Sequence, residues 1–246
     1  MNIVYKNALV RGKITDITVE KGKIVSLNKT SEEGIDLNCK KTFAGLIDIH
    51  THGCLGLNVT DAIGELEKIC IYQAENGITS FYPTTVTETR EKILASLSQN
   101  IKGLKGAQVL GFHMEGPYIS SKRPGALNPA NILKPNAEEF KRFPNVKIVT
   151  VAPEIEGAVD FIKDCDATVC LGHSVGDYNS ACAAADAGAV CLTHTFNAMP
   201  PLLHREPSLI GAAFVKDMYA QVICDGIHIH SAAMRALYIM CGRISM

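Results

Sequence analysis

Apolar and polar positions follow a repeating cycle along most of the chain. From residue 44 onward, each short apolar run is followed by turn residues and then by a stretch with helical spacing. This cycle is typical of a parallel β-sheet covered by helices. The seven predicted strands lie at residues 45–52, 78–85, 107–116, 146–154, 167–174, 189–196 and 219–230. The pattern therefore predicts an α/β fold, a (β/α)8 TIM barrel over residues 44–246 that lacks its eighth strand.

The segments between these runs differ in character. Most have helical spacing, and we predict helices within residues 62–77, 90–104, 137–143, 157–165, 178–188 and 231–243. Residues 196–213 are the exception, because three prolines interrupt them. A proline-rich segment of this length after a barrel strand predicts a binding loop rather than a simple connection.

Residues 1–43 have a different pattern. They contain β-branched residues and tight-turn signals such as Lys21-Gly22-Lys23, and no helical period fits them. We predict a small β-unit over residues 1–43 that precedes the barrel.

Composition and charge exclude several classes of protein. The 246 residues are 47% hydrophobic and 20% charged, with a net charge of −1, which is typical of a globular protein without a nucleic-acid partner. No apolar run reaches the roughly 18 residues that a membrane helix needs, and the N-terminus lacks the apolar segment of a signal peptide. Nine cysteines without a CxxC pair indicate reduced, mostly buried thiols. We expect a cytoplasmic protein with no membrane partner.

The candidate chemistry lies where the predicted strands end. His50 and His52 end the first barrel strand, and side chains at i and i+2 of a strand point to one face. Glu115, His173 and His194 end the third, fifth and sixth strands. Each residue alone has an ordinary interpretation, as a packed core histidine or an ion-paired carboxylate. Their recurrence at the C-terminal side of the strands, where barrel enzymes place their active sites, favours one site.

Histidine and carboxylate ligands indicate which metal such a site would hold. They suit Zn²⁺, with Fe²⁺, Mn²⁺ or Co²⁺ as alternatives, better than Mg²⁺ or Ca²⁺. A metal of this kind lowers the pKa of bound water and polarises a carbonyl. The reaction class implied is metal-assisted hydrolysis of an amide or ester-like bond.

Two further residues are candidates for substrate contact. Arg205 is the one strong cation of residues 196–213, and a guanidinium in a binding loop suits a phosphate or carboxylate. An ordinary surface arginine is the alternative. His228 follows the seventh strand and either contacts substrate or packs. His228 and His230 repeat the His-x-His spacing, which shows that this motif also arises without a metal.

The strand-end motifs resemble those of the amidohydrolase superfamily and, within it, the N-acetylglucosamine-6-phosphate deacetylase family. The resemblance covers about residues 3–240. Its most specific part is NAM followed by HREP, since His-x-His alone indicates only the superfamily. The matching segments are AGLIDIHTHG, HMEGPYIS, TVAPE, LGHS, THTFNAMPPLLHREPSLIGAAF and DGIHIH.

The resemblance implies a role for each strand-end residue. Glu115, His173 and His194 would be the main metal ligands. His50 and His52 match a pair that holds a second metal in some members of the family, so that one or two ions remain possible.

The resemblance also implies an activity and a setting. Asn197, Ala198 and Arg205 would bind the sugar phosphate, and His228 would contact the substrate. The activity would be hydrolysis of the N-acetyl group of N-acetylglucosamine 6-phosphate to glucosamine 6-phosphate and acetate. Members have a metal-dependent (β/α)8 barrel and a small β-sandwich built from both chain ends, of which residues 1–43 would be the first part. They are typically cytoplasmic homodimers in which a subunit can lend phosphate-binding residues to its neighbour.

Three departures from the family pattern matter. Ala44-Gly45 replaces Pro-Gly, and Leu127 lies where some members have a polar residue that contacts substrate. In the family, the catalytic aspartate ends the eighth strand, and we expect that aspartate beyond Met246. We therefore expect the chain of residues 1–246 to be poorly active and poorly soluble. The deacetylase interpretation has two alternatives. One is a non-catalytic fragment that binds the sugar phosphate, and the other is an amidohydrolase that acts on a cyclic amide.

Overall fold

The computed structural model describes residues 2–242, 244 and 245. The chain forms two compact units, residues 1–45 and residues 46–246. Among the described residues, no helix is both long and apolar enough to span a bilayer. The nine cysteines are free thiols, and Cys39 and Cys224 are exposed rather than buried.

The first unit is built on one four-stranded sheet with the order β3-β2-β1-β4. Its strands are β1 (Asn2–Val10), β2 (Lys13–Glu20), β3 (Lys23–Ser26) and β4 (Ile35–Asp36). The β2–β3 hairpin closes through Lys21 and Gly22, which both adopt positive φ, as a two-residue hairpin turn requires. The predicted turn signal is therefore confirmed.

A buried carboxylate holds this unit together. Asp16 on β2 accepts hydrogen bonds from the backbone N–H groups of Asn7, at 2.9 Å, and Thr30, at 3.0 Å. The Nζ atoms of Lys6 and Lys29 lie 2.9 and 3.1 Å from its oxygens. The carboxylate thus connects β1 to the segment that follows β3, and its charge is compensated by two cations.

The second unit is built on a parallel sheet with the order β15-β14-β13-β12-β11-β10-β8-β5, and β9 pairs with β8 beside it. A small hairpin, β6–β7, follows β5. The strands are β5 (Leu46–Thr51), β6 (Gly53–Cys54), β7 (Leu57–Asn58), β8 (Ile78–Thr85), β9 (Gln108–Val109), β10 (Phe112–Glu115), β11 (Val146–Val151), β12 (Thr168–Leu171), β13 (Cys191–Leu192), β14 (Tyr219–Gln221) and β15 (Ile244–Ser245).

Helices alternate with these strands, as predicted. They are α1 (Leu66–Glu75), α2 (Arg90–Leu97), α3 (Ala137–Phe140), α4 (Ala158–Asp164), α5 (Tyr178–Ala187), α6 (Ser208–Val215) and α7 (Ser231–Cys241), with a 3-10 turn at Pro129–Asn131. Their apolar faces and the strands enclose one main hydrophobic core. The fold class, an α/β barrel of the TIM type, is confirmed.

Two details differ from the sequence-based expectation. Residues 208–215, most of which lie in the predicted loop, form α6, in which six of eight residues are buried. A helix buried on most of its surface shows no alternation of polar and apolar positions, so the pattern did not reveal it. The structure also places Ile244–Ser245 parallel to β14 as a two-residue eighth strand, where seven strands were expected. Two residues are too few to give a periodic signal.

Candidate metal centre

Five predicted site residues converge at the C-terminal ends of the parallel strands. His50 lies within β5 and His52 follows it, while Glu115 is the last residue of β10. His173 and His194 each lie two residues beyond the strand that precedes them, β12 and β13. Because these strands are parallel members of one sheet, their carboxyl ends lie at the same edge and bring these side chains to one place.

The Nε2 atoms of the four histidines surround the carboxylate of Glu115. His52 Nε2 lies 3.0 Å from Oε2 of Glu115. The other three lie near Oε1, at 3.3 Å for His50, 3.1 Å for His173 and 3.0 Å for His194. The residues form two groups of three, and in each group the candidate ligand atoms lie within 4.8 Å of one another. Glu115 belongs to both groups, so the geometry fits one ion or two.

The opposite ring nitrogen, Nδ1, is engaged in three of these histidines. In each of the three, Nδ1 lies near an oxygen acceptor, so Nε2 is free to point to the centre of the site. The acceptors are Gln221 Oε1, 3.3 Å from His50, the Thr84 carbonyl, 3.2 Å from His52, and the Arg123 carbonyl, 3.1 Å from His173. Such outer partners are typical of metal-ligating histidines, whose tautomer and ring orientation they fix. The donor set therefore fits a divalent metal.

The charge of the site is concentrated on Glu115. Burial opposes ionisation of this carboxyl, yet the surrounding imidazoles, His50 foremost, hold its pKa well below the usual value. Burial also lowers the pKa of His194. Burial also lowers the pKa of His52, but the hydrogen bond to Glu115 and the negative charge of that carboxylate outweigh burial and raise the pKa above the usual value. A buried anion within reach of four imidazoles attracts a cation.

The backbone around the ligands adopts unusual conformations. His173 and His194 have φ of 48° and 29°, in the left-handed region that non-glycine residues rarely occupy. Phe196 and Ala198, further along the loop, have φ of 78° and 50°. Gly125 packs so closely on His173 that a Cβ there would lie 3.1 Å from Cε1 of the ring. The ligands are thus held at the cost of local backbone strain, which is common at functional sites.

The five candidate ligands line a cavity of about 710 Å³. Asn197, Ala198 and His228, which the sequence indicated as substrate contacts, also line it. The His228 Nδ1 donates to Asp225 Oδ2 at 2.6 Å, and backbone N–H donors lower the pKa of Asp225 to about 2. Arg205 is exposed and does not line this cavity. The structure therefore brings together all the indicated residues except Arg205.

Sequence reasoning missed several residues around the cavity. Asn58, Glu88 and Asn128 line it but lie in segments without a motif. Gln221, which orients His50, is buried at the end of β14. An amide within the apolar run YAQVIC was a usable signal, because a buried polar side chain needs a partner. Leu127, the residue that departs from the family pattern, also lines the cavity and is buried.

The parallel sheet and the histidine–glutamate cluster at its C-terminal edge define the chain as a barrel of the amidohydrolase type with a candidate metal centre. Comparison with known proteins narrows the class. The N-acetylglucosamine-6-phosphate deacetylase of Vibrio furnissii is 37% identical over 225 residues, which cover 85% of this chain and 56% of the relative. The N-acetylgalactosamine-6-phosphate deacetylase of Escherichia coli O157:H7 is 39% identical over 202 residues, 76% of this chain and 54% of the relative.

A solved structure gives the same result. A variant of N-acetyl-D-glucosamine-6-phosphate deacetylase from Mycobacterium smegmatis, in complex with N-acetyl-D-glucosamine-6-phosphate, has a TM-score of 0.89 and 27% identity. The match covers 100% of this chain and 69% of that chain. No protein-family model matches. The chain belongs to the N-acetylglucosamine-6-phosphate deacetylase family, and it spans little more than half the length of the two curated relatives described above.

Proposed function

We propose that the protein hydrolyses the N-acetyl group of N-acetylglucosamine 6-phosphate to give glucosamine 6-phosphate and acetate. The observation that carries the proposal is Glu115, shared between two histidine pairs at the base of a cavity large enough for a sugar phosphate. Pockets of roughly 300–1,000 Å³ are typical of small-molecule sites. The family relationship supports the choice of reaction.

Zn²⁺ is the metal that we propose for the centre, with Fe²⁺, Mn²⁺ and Co²⁺ as the alternatives that this donor set allows. When bound, such an ion lowers the pKa of water and polarises a carbonyl oxygen. We propose Glu115, His173 and His194 as the main ligands. His50 and His52, with the shared Glu115, would hold a second ion where one is present.

The remaining cavity residues would bind and orient the sugar. We propose that Asn197 and Ala198 contact the phosphate-bearing end and that His228, held by Asp225, contacts the substrate. The Asn197 side chain donates to the His194 carbonyl at 3.2 Å, which fixes this loop against a ligand residue. Arg205 belongs to the same loop, and we propose that it contributes to phosphate binding.

A second substrate has a specific observation in its favour. One relative, 39% identical, is an N-acetylgalactosamine-6-phosphate deacetylase. The two sugars differ only in the configuration at C4, so the same phosphate and acetyl contacts would serve both. The N-acetylgalactosamine phosphate is therefore the alternative substrate that we propose.

The experiment combines an acetate-release assay with calorimetry on the Zn²⁺-loaded protein. The ligands are the two acetylated sugar phosphates and unphosphorylated N-acetylglucosamine. We expect the 6-phosphates to bind and N-acetylglucosamine 6-phosphate to release acetate fastest. Binding without release would support the non-catalytic alternative, and failure of both phosphates to bind would overturn the proposal.

Arg205→Ala tests the proposed phosphate contact. It should weaken binding of the 6-phosphate while leaving that of the neutral sugar unchanged. Arg235→Ala, which removes an exposed arginine from α7, is the matched control. Equal loss for both ligands would count against the role of Arg205.

The family resemblance supports two further proposals. We propose a homodimer, which sedimentation of the metal-loaded protein would test, and a cytoplasmic location.

A further inference from the structure

A chain of buried hydrogen bonds lies beneath the metal centre and includes none of its ligands. His113 on β10 is fully buried, and its Nδ1 donates to the Ile49 carbonyl at 3.0 Å. Its Nε2 accepts from the Thr150 hydroxyl at 2.8 Å. Because that hydroxyl has one proton, its oxygen must accept from the Thr193 hydroxyl, 2.9 Å away. The chain therefore has one direction, from Thr193 to Ile49.

The members of this chain lie beside the ligands in the sequence. Ile49 immediately precedes His50, and Thr193 immediately precedes His194. His113 lies two residues before Glu115 on the same strand, so both side chains point to the same face of the sheet. The chain thus connects the backbone that carries the first histidine pair to the strand of the shared carboxylate and to the loop of the second pair.

A ring contact strengthens this connection. The His113 ring lies edge-on to the His50 ring, with centroids 4.6 Å apart and planes at 66°. His113 has no nitrogen free for a metal, because both ring nitrogens are engaged with protein groups. Its contribution is to hold neighbouring elements in place.

We propose that the chain Thr193–Thr150–His113–Ile49 positions the two halves of the metal centre relative to each other. His113 and Thr150 are positioning residues in this proposal, which rests on the proposed metal centre. Packing alone would leave the strand ends free to shift by fractions of an ångström. A directional chain that connects four segments of the same sheet restricts such shifts, because each buried polar group loses its partner if one segment moves.

The test compares Thr150→Val with Thr150→Ser. Valine keeps the volume but removes the hydroxyl, which leaves His113 Nε2 and the Thr193 hydroxyl without partners, whereas serine keeps the bond. Ser96→Ala is the matched control, because Ser96 is also buried and donates one hydrogen bond, to the Val59 carbonyl at 2.9 Å. Neither Ser96 nor Val59 lines the cavity. The measurements are Zn²⁺ affinity, by competition with a chromophoric chelator, and the visible absorption spectrum of bound Co²⁺.

We expect Thr150→Val to weaken Zn²⁺ binding by about tenfold, the lower end of the range for losing an outer partner of a metal site, because Thr150 acts on the ligands only through its neighbours. Its Co²⁺ spectrum should change in intensity, since that spectrum reports coordination geometry. Thr150→Ser should keep the wild-type Zn²⁺ affinity and Co²⁺ spectrum. Ser96→Ala should lower the melting temperature of the metal-free protein without changing the Zn²⁺ affinity or the Co²⁺ spectrum.

Each contrary outcome has a distinct meaning. Wild-type affinity and an unchanged spectrum in Thr150→Val would overturn the positioning role while leaving the metal centre intact. Absence of metal binding in the wild-type protein would overturn the centre and this proposal together. If Thr150→Val does not fold, Thr193→Val removes the first donor of the same chain and is judged by the same two measurements.

Discussion

Glu115 is the residue on which both halves of the centre depend, since each group of three candidate ligands includes it. The sequence indicated all five candidate ligand residues because they lie at the ends of predicted strands. It gave no distances, and so it did not show that one carboxylate serves both histidine pairs. That property arises from the register of β5, β8 and β10, which a pattern of apolar positions does not specify.

His194 provides the clearest test of the centre at this scale. His194→Asn removes one Nε2 donor near Glu115, and we expect Zn²⁺ affinity to fall by more than the roughly 10–100-fold that loss of an outer partner costs. His204→Asn is the matched control, because His204 is exposed in the loop before α6. Chelator competition measures both variants. Equal affinities in the two variants would contradict the assignment of His194 as a ligand.

At the scale of elements, the sequence predicted strands and helices where a local pattern marked them. A His-x-His motif begins within β5, and α5 begins after an aspartate that caps it. The helix α6 was missed because apolar residues surround it on nearly every side. The hydrogen-bond chain through His113 and Thr150 was equally invisible, because partners in different strands leave no mark on local spacing.

The first turn of α5 allows a test of helix capping. The Asp177 side chain accepts from the Ser180 backbone N–H at 2.8 Å, whereas Glu65, at the start of α1, makes no such bond. Asp177→Ala should therefore lower the free energy of unfolding by about 1 kcal/mol. Glu65→Ala should change it by less than about 0.5 kcal/mol. Denaturant titration measures both, and similar losses would show that the cap contributes nothing specific.

The sheet of the first unit should be sensitive to acid. Backbone N–H groups of Thr30 and Asn7 hold the pKa of Asp16 far below its usual value, despite burial. A depressed native pKa stabilises the fold above the unfolded value of about 3.9, and this stabilisation is lost as pH falls below it. Unfolding monitored between about pH 5 and pH 2 should show this loss in the wild-type protein but not in Asp16→Asn.

Asp16→Asn should also be less stable at neutral pH, because an amide cannot accept all the bonds of the carboxylate. Asp160→Asn is the control, since Asp160 is exposed and 3.7 Å from its lysine partner. An acid transition that is identical in the wild-type protein and Asp16→Asn would contradict the role of the buried carboxylate.

At the scale of the whole molecule, metal binding and folding should be linked. An ion that binds only the native state at 100 times its dissociation constant adds about 2.7 kcal/mol of stability. For a chain of this size, that corresponds to a rise in melting temperature of roughly 5–10 °C. Chelation should lower the melting temperature by this amount, and added Zn²⁺ should restore it. Unchanged melting, together with elemental analysis that finds no metal, would contradict the proposed centre.

The left-handed backbone at Phe196 and Ala198 affects how the protein would evolve under selection. A non-glycine residue in this region costs roughly 1–3 kcal/mol, which glycine avoids in part because it has no Cβ. At position 196 glycine would also remove a ring that packs against the hydrophobic core. Variants selected only for survival at high temperature should therefore accumulate glycine at position 198. The loop that carries Asn197 would then sample more conformations, so a substitution at position 198 that increases heat resistance would weaken recognition of the ligand.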